Sequence, residues 1–177
     1  TVSVGVLKSN AISFNPPLSL EKTTAIQDVE FFPGFKLFMK FSDQFYPDVI
    51  TCETSSGEKT YYDVAYGKES EDHVLGLLST GTSAEEYYTL GSSDEIVTSV
   101  LKELDTYYNG LASQNYVNSY LYKDWSQQAH VQGTWTSDAE ASSNTLNTSI
   151  DDKVYFAGET YNEYGISQVN GFYIIRG

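Results

Sequence analysis

Lys153-Val154-Tyr155-Phe156-Ala157-Gly158-Glu159 is a short apolar run that follows Asp151-Asp152 and ends in glycine and an acid. It leads through a loop to Gly165-Ile166-Ser167-Gln168-Val169-Asn170-Gly171 and then a second apolar run. The spacing predicts a strand over 153–157 and a helix that begins near Gln168. Glycine where a strand gives way to a helix lets backbone come close to a ligand, and the N–H groups of a helix start suit phosphate or a polar ring edge. Glycines at strand ends also serve as plain turns, so this pattern by itself leaves both readings open.

Composition narrows the class. A chain of 177 residues is long enough for one good core, or for one domain and part of another. Fifteen Tyr and nine Phe argue for a packed globular protein rather than a disordered one. A formal charge of -14 argues against nucleic acid or an anionic membrane as partner. Cys52 is the single cysteine, which excludes an intrachain disulfide. With two histidines besides, a structural zinc site is not expected, and no metal ligand is assigned. No apolar run reaches membrane-spanning length. Asn147-Thr148-Ser149 fits a glycosylation acceptor, a pattern common by chance. Neither a secreted nor a cytoplasmic location is assigned.

Taken in order, Val-rich residues 1–7 predict a strand, with Ile12 and Phe14 in a second short one. Ser19 caps a helix over 20–28. Phe35 to Phe41 is a strong strand interrupted by Lys36 and Lys40, while 42–60 is rich in turn residues. Residues 61–66 and 74–78 predict an antiparallel pair joined by the charged turn 68–72. Ser92 or Ser93 caps a helix whose Ile96, Val97, Val100, Leu101 and Leu104 recur at helical spacing and which stops at Gly110. Residues 116–122 alternate as a strand, and 137–150 read as a polar surface loop. The fold class is therefore α+β, a mixed sheet flanked by helices.

Four blocks, in order, carry a family resemblance. They are 2–18 with Lys22, Ala25 and Ile26; Phe35-Lys-Leu-Phe-Met-Lys-Phe41 with Phe45-Tyr46-Pro47; Tyr122-Lys-Asp-Trp125 with Gly133-Thr-Trp135; and Val154-Tyr-Phe-Ala-Gly-Glu159 with Val169-Asn-Gly171. The chain resembles the flavin-dependent amine oxidases, the group of monoamine and polyamine oxidases. The resemblance implies the substrate domain plus part of a Rossmann-type FAD domain: residues 1–10 a strand of that incomplete domain, 11–125 the substrate-binding domain, 126–177 an incomplete C-terminal FAD segment. It implies FAD in the complete enzyme, a small amine substrate, and hydride removal from the carbon alpha to nitrogen with oxygen as acceptor, giving imine and peroxide. The glycine-rich phosphate loop of the family is missing from these 177 residues. The remaining flavin half is therefore the implied partner, on the same gene product or a second chain, and this stretch alone is expected neither to retain FAD nor to turn over.

The resemblance assigns roles residue by residue. Lys36 matches the lysine that reaches a water at the flavin N5, against the plain reading of a snorkelling strand lysine. Burial would depress its pKa and suit it to proton or oxygen chemistry. Lys40 shares its face by parity but takes no family role. Trp125 would pack beside the flavin and Trp135 would wall the substrate slot; the plain reading for both is core. Gly158, Glu159 and Val169 match the flavin contacts, chiefly through backbone N–H groups. Gln168 stands where relatives carry a second aromatic wall and would touch both substrate and flavin, which hints at a more polar substrate. Phe172 stands where relatives carry Ala. These two departures support the alternative, a non-catalytic relative that kept the fold as a binding or structural protein.

Overall fold

A computed structural model describes residues 2–134, 136 and 140–161. In chain order the elements are α1 (Val4–Lys8), α2 (Leu20–Asp28), β1 (Gly34–Phe41), β2 (Val49–Cys52), β3 (Lys59–Asp63) and β4 (His73–Thr80). They are followed by α3 (Thr82–Tyr88), α4 (Ser93–Tyr108), α5 (Leu111–Asn115), β5 (Tyr116–Asp124), α6 (Glu140–Asn147) and a 3-10 turn, Glu159–Tyr161.

Pro33–Trp125 form one compact unit. Its sheet runs β2-β3-β4-β1-β5, and every pairing in it is antiparallel. The period of two in β1 sets its two faces. Phe35, Leu37, Met39 and Phe41 are buried, while Lys36 and Phe38 are half-buried and Lys40 is exposed. Helices α3, α4 and α5 cover the first face with Ala84, Tyr87, Ile96, Val97, Val100, Leu104 and Ala112. Helix α4 starts where Ser92 accepts from the Glu95 N–H and donates to the Glu95 carboxylate, a reciprocal cap. It ends one residue earlier than Gly110, at Asn109, which adopts the left-handed conformation with φ 52°.

Residues up to Phe32 and from Ser126 onward form the other unit. Its core gathers Val4, Leu7, Ala25, Ile26, Val29, Leu146 and Tyr161. Ser19 caps α2 by accepting from the Lys22 N–H at 3.1 Å, as the sequence predicts. Residues 11–32 cluster here, not with the sheet.

Four expectations are corrected. Residues 2–7 of the expected strand 1–7 are not a strand: Val4, Gly5, Val6 and Leu7 are buried in succession, which suits a short helix enclosed on all sides better than alternation, and Ser3 caps it. A Cβ on Gly5 would lie 2.8 Å from the Gln132 carbonyl oxygen and from the Phe31 ring, so glycine is required for this approach. Ile12 and Phe14 form no strand. Nor do 153–157: Asp151 and Asp152 both take positive φ and turn the chain back, so that Val154 makes one isolated bridge to Ile150. Within 137–150, residues 140–147 are helical and bury Leu146. One strand, β2, went unforeseen among the turn residues of 42–60.

Leu104 is fully buried beneath the sheet. Leu104→Ala should cost about 2–5 kcal/mol of stability in chemical denaturation. Burial pushes the Tyr87 and Tyr122 hydroxyls up to about 12. The unfolded chain gives up these protons near ~10, so these groups should lower stability progressively as pH rises from about 10 to 12. Thermal melts across that range check the sign.

Candidate functional site

The face of the sheet opposite the helices carries Lys36. Antiparallel register sets Lys36 across from Leu78 on β4 and Lys123 on β5, and sets Phe38 across from Gly76 and Leu121. On β3, Tyr62 pairs with Gly76. A Cβ on Gly76 would meet the Tyr62 ring at 2.6 Å, so the glycine is what allows that ring to lie across the strand. The ring then meets Phe38 edge-on, with centroids 6.4 Å apart, and the Lys36 Nζ stands 6.0 Å from its centroid. Lys123 lies 5.4 Å from the Trp125 ring, and the Trp125 backbone N–H donates to the Gly34 carbonyl at 3.1 Å. Lys36 and Trp125 are thus brought to one neighbourhood of one face. Lys40 shares the face but is engaged by Asp72 at 2.7 Å.

On the helix-covered side lies a cavity of about 580 Å³ beside β2. Two of its charged residues are already paired: Lys59 meets Glu103 at 2.5 Å, and the Tyr87 hydroxyl donates to Glu103 at 2.8 Å. Burial pulls Lys59 down, but its hydrogen bonds to Glu103 and Tyr87 outweigh this and hold the ammonium above its ordinary range. Cys52 lines the same cavity, and burial pushes its thiol up, away from the thiolate a nucleophile needs. This cavity has no evident chemistry.

In the other unit, Ala157, Gly158 and Glu159 lead into the 3-10 turn. Gly158 takes φ +144°, and Tyr161 N–H donates to its carbonyl at 3.2 Å. Among the described residues, nothing accepts the N–H groups of Ala157 and Gly158. Trp135, Gln168 and Val169 lie outside the described residues, as does Phe172. Tyr62, Gly76 and Lys123 are the members of the Lys36 neighbourhood that sequence reading missed; the signal lay in cross-strand register, which no single stretch carries.

The family described as "Flavin containing amine oxidoreductase" matches residues 1–171. The chain belongs to that family. It is 30% identical over 187 residues to lysine-specific histone demethylase 1 homolog 1 of Arabidopsis thaliana, covering 98% of this chain and 22% of that protein. It is 26% identical over 180 residues to polyamine oxidase 4 of Oryza sativa subsp. japonica, covering 98% of this chain and 36% of that one. The chain therefore spans between about a fifth and a third of these relatives. Among solved structures, cyclohexylamine oxidase from Brevibacterium oxydans IH-35A superposes with a TM-score of 0.66 at 19% identity, over 96% of this chain and 38% of that one. A redesigned putrescine oxidase gives 0.59 at 18% identity, over 77% and 30%. These two likenesses support the α+β fold.

A flavin nucleotide asks for backbone donors at a place open to close approach, and the Ala157 and Gly158 N–H groups fit that need. The Gly158 conformation is one that side chains rarely adopt. On the sheet, Gly76→Ala should displace the Tyr62 ring, cost about 1–3 kcal/mol, and change the near-ultraviolet circular dichroism of the tyrosines. An unchanged spectrum and stability would contradict the ring placement.

Proposed function

We propose that this chain is the substrate-facing part and the C-terminal flavin segment of an FAD-dependent amine oxidase. The observation that carries this reading is Lys36, half-buried beside the Tyr62 ring on the face of the sheet opposite the helices. A strand lysine placed for solubility alone has no need of an aromatic ring beside its ammonium. The bound flavin would supply the redox chemistry, taking hydride from the carbon alpha to nitrogen. Lys36 Nζ holds a water and moves a proton; Phe38 and Tyr62 keep the approach apolar. An ammonium on this face disfavours an incoming ammonium, so the site favours the neutral amine, the form able to lose hydride. Trp125 would pack against the ring system, Trp135 and Gln168 would flank the amine, and Gly158, Glu159 and Val169 would offer backbone to the cofactor. FAD retention is assigned to the complete protein, since this chain spans only between about a fifth and a third of its relatives.

Gln168 and Phe172 favour a second reading, a relative that keeps the fold without turnover. Amine turnover separates the two. In the full-length protein, Lys36→Met should lower kcat/KM by roughly 10²–10⁴-fold with flavin content unchanged, while Lys40→Met should leave it within about twofold. Equal effects of the two variants would overturn the role given to Lys36.

A further inference from the structure

Among the described residues, Lys22 is the one charged side chain that is fully sequestered, at 5% exposure. The Ser19 cap starts α2 so that Lys22 falls on the face of Ala25 and Ile26. Its Nζ donates to the Thr145 carbonyl at 3.0 Å, the Leu146 carbonyl at 2.7 Å and the Thr148 carbonyl at 2.6 Å. These belong to the carboxyl end of α6, where carbonyls have no intrahelical partner and the helix dipole is negative. An ammonium has three protons, and all three are used. On its remaining side lies the Phe156 ring, with its centroid 3.7 Å away. No carboxylate among the described side chains pairs with this ammonium.

Phe156 immediately precedes Ala157-Gly158-Glu159, the segment proposed to hold the flavin. Its ring packs on Tyr161 at 5.9 Å and on Phe14 at 6.4 Å. Between the two rings Phe156 and Tyr161 run Ala157, Gly158, Glu159 and Thr160. One buried cation thus joins α2, the end of α6 and the residue from which the segment departs.

We infer that Lys22 is the positioning residue of the flavin segment: by holding the α6 carbonyls and the Phe156 ring on a single ammonium, it sets where the Ala157 and Gly158 N–H groups point. It touches no reacting atom. A purely apolar contact would leave the α6 carbonyls unpaired and the ring free to turn, and the segment would lose its fixed start. The inference rests on the reading of 157–159 as flavin-holding.

The test uses the full-length protein near pH 7, where Lys22 is charged, since burial brings its pKa down only to about 8. Lys22→Met, Lys22→Arg and Phe156→Leu are compared with wild type by hydrogen exchange of the amides of 157–161 without flavin, and by flavin affinity and the visible circular dichroism of bound flavin. Lys22→Met should speed exchange of those amides and weaken flavin binding, each by about tenfold or more, with far-ultraviolet circular dichroism unchanged. Lys22→Arg should restore part of both, and Phe156→Leu should fall between. A Lys22→Met protein that melts earlier but keeps wild-type exchange and flavin affinity overturns the inference. If Lys22→Met does not fold, wild-type behaviour of both other variants overturns it. Wild type without flavin would overturn the proposed function instead, and the exchange arm would then decide the role of Lys22.

Discussion

The alternation of β1 is the constraint on which the sheet unit depends. A strand can present alternate residues to opposite faces and nothing else. Phe35, Leu37, Met39 and Phe41 commit one face to the helices. That commitment leaves Lys36, Phe38 and Lys40 on the other face together, with no freedom to slip by one residue, because a slip would bury two lysines and expose four large apolar side chains. Once β1 is fixed between β4 and β5, register decides the rest. Gly76 falls opposite Phe38 and beside Tyr62, and the absent side chain becomes the space in which the tyrosine ring lies. Lys36 is therefore held by the same packing that stabilises the fold.

The second unit is held by a different device. Short helices such as α1 and α6 have little intrinsic stability and depend on what they touch. For α6 the contact is a buried lysine at its carboxyl end, in place of the glycine cap that ends many helices. The arrangement ties the position of Phe156, and so of Gly158, to a residue more than a hundred positions earlier in the chain. Structure in this unit is local only in part.

This difference explains what was legible in the sequence. The strands β1, β3, β4 and β5, helix α4 with its Ser92 cap, and α2 with Ser19 were readable because their patterns repeat within a few residues. Strand β2 was not: Val49–Cys52 is an edge strand set among turn residues, with no fully buried member to mark it. Residues 2–7 misled because Val at alternate positions suggests a strand, whereas tertiary enclosure of Val4 to Leu7 favours a helix. Helix α6 was hidden by its small polar residues, with Leu146 alone giving a hydrophobic cue. Lys36 stood out as a cation in an apolar run, and the family blocks gave it an expected role. Tyr62, Gly76 and Lys22 act through partners distant in sequence, so no window of residues could have shown them.

The central claim is that these residues serve a flavin that oxidises amines. The most direct measurement is the visible absorbance spectrum of the full-length protein, recorded before and after an amine is added without oxygen. The account predicts oxidised-flavin bands that bleach with the amine and return when oxygen is admitted. A purified, folded protein with no flavin bands, or with bands that no amine bleaches, would contradict it.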